Sequence, residues 1–126
     1  MRLQKSTLMH ESFNVLLDLV IPEGVSEYFK LTAHKKEDDS IHVYLEEINS
    51  IPEEYKSNKL QSKGFFDEII LQDFPIRGKE VYLHVKRRRW LNLDTNKVVF
   101  RNWELVAKGT RITSDFAAFL KAISRY

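Results

Sequence analysis

Cysteine is absent from the 126-residue chain, and with it go disulfides, thiolate metal ligands and thiol nucleophiles. Long apolar runs are absent too. The longest candidate, Val15 to Ile21, is interrupted by Asp18 and stopped by Pro22, far short of the roughly 20 apolar residues of a membrane-spanning helix. At the N-terminus Arg2 and Lys5 are followed by His10, Glu11 and Asn14, where a signal peptide needs an unbroken apolar core, and no small-residue cleavage site follows. Together these absences predict a cytoplasmic protein with no membrane partner. With only four glycines there is no phosphate-cradling glycine loop and no Gly-x-Ser-x-Gly elbow.

What is present is an ordinary apolar share, 43% hydrophobic with 12% aromatic residues, enough for a folded chain despite 30% charged residues. The length suits one hydrophobic core, so residues 1–126 are expected to form a single unit. The net charge of +2 conceals an asymmetry. Residues 1–76 hold 8 Lys/Arg against 14 Asp/Glu, whereas residues 77–126 hold 12 against 4. A cationic second half is what a polyanion-binding face requires, because phosphates are bound through Lys and Arg with release of counterions. The acidic half either covers a basic partner surface or keeps the chain in solution.

Hydrophobic periodicity predicts a helix over Ser6 to Val20, with Met9, Phe13, Leu16, Leu17 and Val20 on one stripe. Ile21-Pro22-Glu23-Gly24 ends it. Tyr28 to His34 and Ile41 to Glu47 flank a polar stretch and read as a hairpin; Ile41, Val43 and Leu45 alternate with His42, Tyr44 and Glu46. Asn49 to Gly64 lacks periodicity and reads as a connection. Phe65 to Gln72, Val81 to Trp90 and Val98 to Trp103 read as a three-strand meander, with turns at Asp73 to Lys79 and Leu91 to Lys97. A last helix begins at Thr113 or Ser114, with Phe116, Phe119, Leu120 and Ile123 as its stripe. The order predicts an α+β fold: N-terminal helix, small antiparallel sheet, C-terminal helix.

The segment Val81 to Trp90 carries the strongest functional signal. Read as one strand, it sets Val81, Leu83, Val85, Arg87 and Arg89 on one face and Tyr82, His84, Lys86, Arg88 and Trp90 on the other. Cations interleaved with hydrogen-bonding aromatics suit a phosphate backbone, and Arg101, Lys108 and Arg111 extend the predicted DNA-binding surface. The structural alternative is a charged strand edge that resists aggregation. Trp90 and Trp103 either stack on bases or pack beneath the sheet.

The histidines His10, His34, His42 and His84 lack metal-site spacing, although His34 and His42 could face each other across the hairpin. No metal or cofactor is expected. Carboxylates are plentiful, including Asp67, Glu68 and Asp73, but adjacent acids on strands point apart, whereas a metal-dependent nuclease needs several converging ones. The chain is therefore expected not to be an enzyme.

Several phrases together, Ile21-Pro22-Glu23-Gly24, Tyr44-Leu45-Glu46-Glu47, Ile51-Pro52-Glu53-Glu54-Tyr55, Ser62-Lys63-Gly64-Phe65, Asp73-Phe74-Pro75-Ile76-Arg77-Gly78-Lys79 and the Leu83 to Trp90 strand, resemble the N-terminal region of bacterial insertion-sequence transposases of the ISAon type. The resemblance runs from about Phe13 to Ile123. It implies a separately encoded piece without the acidic catalytic domain. More distantly, Asp73, Pro75, Gly78 and Arg88-Arg89 are similar to the ribbon of ISL-group transposases, which leads into a cysteine zinc ribbon and a helix-turn-helix. Trp90 stands where that pattern has its first cysteine, and Thr110-Arg111-Ile112-Thr113 with Phe116 to Ile123 resembles the opening helix. The resemblance implies partners in the element's terminal DNA and a separate transposase catalytic chain. A protein-interaction adaptor without DNA binding is the alternative.

Overall fold

The structure, a computed structural model, describes residues 12, 13, 15–109 and 113–126. Helical residues 12, 13 and 15–20 form α1. Strands β1 (Phe29–Lys36), β2 (Ser40–Glu47), β3 (Leu60–Phe65), β4 (Ile69–Ile76), β5 (Lys79–Lys86), β6 (Arg88–Asn92) and β7 (Lys97–Val99) follow, then α2 (Trp103–Gly109) and α3 (Ser114–Ile123). The architecture is α+β with helices toward both ends, as the periodicities predict. No helix among the described residues is long and apolar enough to cross a membrane.

The strands divide between two sheets, ordered β1-β2-β5-β4 and β3-β6-β7. β1 and β2 form the expected antiparallel hairpin, but β2 and β5 run parallel, from Ser40 beside Glu80 to Glu46 beside Lys86. The predicted meander pairings are present, β4 antiparallel to β5 and β6 antiparallel to β7, so the last strand lies beside β6 and leaves the other side of β5 open. That last strand, β7, is three residues long and cannot cover the eight of β5. β2 has eight residues and the same alternation, so Val43 and Leu45 bury beside Val81, Leu83 and Val85.

β3 pairs with β6 and β4 with β5, so segments 60–76 and 79–92 form one long antiparallel ribbon that passes from one sheet to the other. The expected single strand Val81 to Trp90 is broken at Arg87, where the Phe66 N–H donates to the Arg87 carbonyl and carries the ladder across the bend. The ribbon turns at Arg77 and Gly78, both at positive φ (50° and 75°), as a two-residue hairpin loop requires. The turn expected over Asp73 to Lys79 shrinks to this pair. β4 keeps Asp73 to Ile76 because a bulge on the sheet edge accommodates Pro75, which has no N–H to give. β3 lies in the stretch read as a connection; its polar residues reveal no strand until β6 pairs with it.

The inner face of the four-stranded sheet packs on α3, whose predicted stripe, Phe116, Phe119, Leu120 and Ile123, is wholly buried. Thr113 caps α3 by accepting from the Phe116 N–H at 3.1 Å. Of the stripe predicted for the N-terminal helix, only Leu17 is buried, while Phe13, Leu16 and Val20 are exposed; Met9 lies outside the described residues. The strand expected over Val98 to Trp103 stops at Val99. There Asn102 accepts from the Glu104 and Leu105 N–H groups and starts α2, cutting the strand short. Gly24, at φ 104°, lies close enough to Phe116 that a Cβ would come within 2.9 Å of the ring.

Candidate nucleic-acid interface

The predicted DNA-binding residues fall into three environments because the ribbon changes sheets at Arg87. The first is the junction itself. β2 ends on the core side at Glu47, whose carboxylate accepts from the Arg101 Nε at 3.0 Å and from the Arg88 N–H at 3.0 Å. Burial pushes the Glu47 carboxyl up from its ordinary value, while the Arg88 N–H and Arg101 pull it down. The Arg101 guanidinium also donates to the Ser50 carbonyl at 2.6 Å and lies 5.3 to 5.8 Å from the ring centroids of Tyr28, Trp90 and Trp103. Trp90 is 1% exposed and its indole N–H donates to Asn49 Oδ1. Arg101 and Trp90, both expected on the DNA, are therefore interior groups, with the acid of the first half neutralising the arginine.

Arg88 is bound to the same junction. Its Nε donates to the Glu47 carbonyl, its Nη1 to Ser62 Oγ, and its guanidinium lies 4.6 Å from the Phe65 centroid. Three contacts leave little of it for a ligand.

The second environment is the other face of β6. The guanidinium groups of Arg87 and Arg89 lie 5.1 and 5.6 Å from the centroid of one ring, Phe66, which meets the edge of Phe100 at 5.3 Å. Arg89 donates to the Lys63 carbonyl at 3.2 Å. Among the described residues no carboxylate forms an ion pair with either arginine, and both Nε atoms are buried without an acceptor. Burial draws the Arg87 guanidinium down from its ordinary value, with Glu47 and Tyr126 opposing. The Nε atoms lie out of a ligand's reach, but two planar cations on one ring, with no acid beside them, can bind an oxyanion through their Nη groups.

The third is the outer face of the four-stranded sheet. Tyr82, His84 and Lys86 share that face, as the alternation predicts, but His84 is buried there. Tyr44 stacks on it at 4.2 Å, Glu68 lies 3.2 Å from its Nδ1, and its Nε2 is 2.8 Å from His42 Nδ1. His42 thus faces His84 rather than His34, which pairs in register with Val43. The Tyr82 hydroxyl donates to Glu80 at 3.0 Å and its ring stacks on His42. Lys86 is half-buried at the end of β5. Lys108 is exposed on α2, and Arg111 lies outside the described residues.

Among the described residues no three His, Asp or Glu side chains gather where they could hold a metal ion. Sequence reasoning missed Phe66 and Phe100; an aromatic pair flanking an arginine run was the available signal. The fold and this site define an α+β ribbon protein with an arginine–phenylalanine face. No protein-family model, curated protein or solved structure matches the chain.

Proposed function

We propose that the chain is a DNA-binding accessory module of an insertion-sequence transposase. In this reading Arg87 and Arg89 meet the phosphates of the element's terminal DNA, while a separately encoded catalytic chain does the cutting. The observation that carries it is that these two arginines, alone in the basic run, are held by a ring and contact no carboxylate among the described residues. A phosphate oxygen is the acceptor such a pair lacks. The charge balance of the second half and the resemblance to transposase N-terminal regions support the same reading. The contact surface is narrower than the sequence suggests: Arg87 and Arg89, with Lys86 next to them in the chain and Lys63 on the paired strand β3.

If about four phosphates are neutralised, log affinity plotted against log salt slopes near −3 to −4. Fluorescence anisotropy with a labelled duplex of the element's end measures it. Absence of duplex binding at low salt, with and without the catalytic chain, removes the proposal.

The second reading, a protein-interaction adaptor without DNA binding, is favoured by apolar side chains left in solvent, Leu19 at 77% and Phe74 at 73% exposure. Under it, Leu19→Ser with Phe74→Ser weakens association with the partner chain, and reversing Arg87 and Arg89 to Glu changes no DNA affinity.

A further inference from the structure

An open groove of about 390 Å³ lies beside the arginine–phenylalanine face, between the chain joining β7 to α2 and the end of α3. That volume falls in the range of roughly 300 to 1,000 Å³ common for small-ligand sites. Tyr55, Arg87, Val98, Phe100, Asn102 and Trp103 contribute to its lining, so aromatic walls alternate with donors. Phe100 is 54% exposed, and its contact with Phe66 leaves much of its surface to solvent. Arg87 reaches the groove from the Phe66 side, and no carboxylate contacts it among the described residues. The Asn102 oxygen is occupied by the two N–H groups that open α2, which leaves its amide N–H₂ as a donor. Glu104 is the one acidic side chain among the lining residues, and since Glu47 neutralises Arg101, Arg87 is the lining cation left for a ligand.

An exposed ring beside an unpaired guanidinium matches a base joined to a phosphate. Both faces of a base inside a duplex are already stacked, so such a ring can take only a base outside the helix. Resting on the DNA-binding reading, we infer that this groove receives one unpaired nucleotide at the end of the bound DNA, its phosphate on Arg87 and its base against Phe100. Stacking of this kind tolerates any base, so the site selects for single-stranded character rather than sequence.

The test compares, by fluorescence anisotropy, a blunt duplex with the same duplex carrying a short single-stranded overhang. The overhang is expected to bind about tenfold tighter. In Phe100→Ala the ratio of the two affinities falls to about one, and in Phe100→Trp it is kept; circular dichroism verifies that both variants fold. Equal binding of the two DNAs by the unaltered protein, or an overhang preference that survives Phe100→Ala, overturns the inference while leaving the duplex reading in place. Binding of the overhang alone, lost in Phe100→Ala, upholds the groove and overturns the duplex reading. Binding of neither removes both.

Discussion

Glu47 and Arg101, 54 residues apart in the chain, meet as a buried ion pair with 3.0 Å between Oε2 and Nε. The carboxylate closes β2 in one sheet, and its second oxygen accepts from Arg88 at the start of β6 in the other. One acid thus ties both sheets to the segment that leads into α2. Removing one partner strands the other's charge in the interior, so Arg101→Ala or Glu47→Gln is expected to cost about 3–5 kcal/mol in urea unfolding. Lys108→Ala, on the exposed side of α2, should stay within about 0.5 kcal/mol. A small effect at Arg101 would mean that it is a surface cation after all.

Gly24 sits at φ 104° with Phe116 against its α-carbon. Gly24→Ala therefore combines backbone strain with a clash and should destabilise by about 1–3 kcal/mol. Gly109, helical and with open space where a Cβ would point, is the control. There alanine is neutral or stabilises by up to about 1 kcal/mol, read from thermal unfolding of both variants.

Burial raises the Asp73 carboxyl above its ordinary 3.8, the Phe74 N–H opposes this, and the nearby Asp115 charge adds to it. An acid whose folded-state pKa is raised contributes stability that is fully present below pH about 3.8 and is lost as pH climbs through the folded value. Asp73→Asn cannot ionise. Its urea midpoint should gain on that of the unaltered protein between that pH and neutrality, and a gap that shrinks or stays constant over the window contradicts the assignment.

Arg87 and Arg89 share the Phe66 ring through planar guanidinium groups. Replacing both with lysine keeps the charge but loses the stacked plane and the fork of donors, so duplex affinity should fall while the salt slope barely changes. Replacing both with alanine should make the slope shallower by about two. Equal slopes for the alanine and lysine pairs would place the DNA elsewhere.

Much of this fold was legible in the residues. The stripe Phe116, Phe119, Leu120 and Ile123, the alternation of Val43 and Leu45 with polar neighbours, and the turn chemistry of Asn92 to Asn96 are local patterns, and each lies where the pattern puts it. The α+β class follows from them. The candidate site was half legible. The basic run Lys86 to Arg89 marked the segment, but alternation along one continuous strand assigned its faces, and the chain changes sheets in the middle of that run.

By itself, then, the sequence determined the elements with strong period, the exclusion of cysteine chemistry and the concentration of cations in the second half, because composition and spacing act over a few residues. Tertiary structure alone decided which cations remain for a ligand. Glu47 claims Arg101 and Arg88 from across the chain, and a single phenylalanine, Phe66, holds Arg87 and Arg89 on the opposite face. The reason is physical: a guanidinium is free or bound according to acceptors that pairing across more than 40 residues brings to it, and no window of neighbours along the chain contains them.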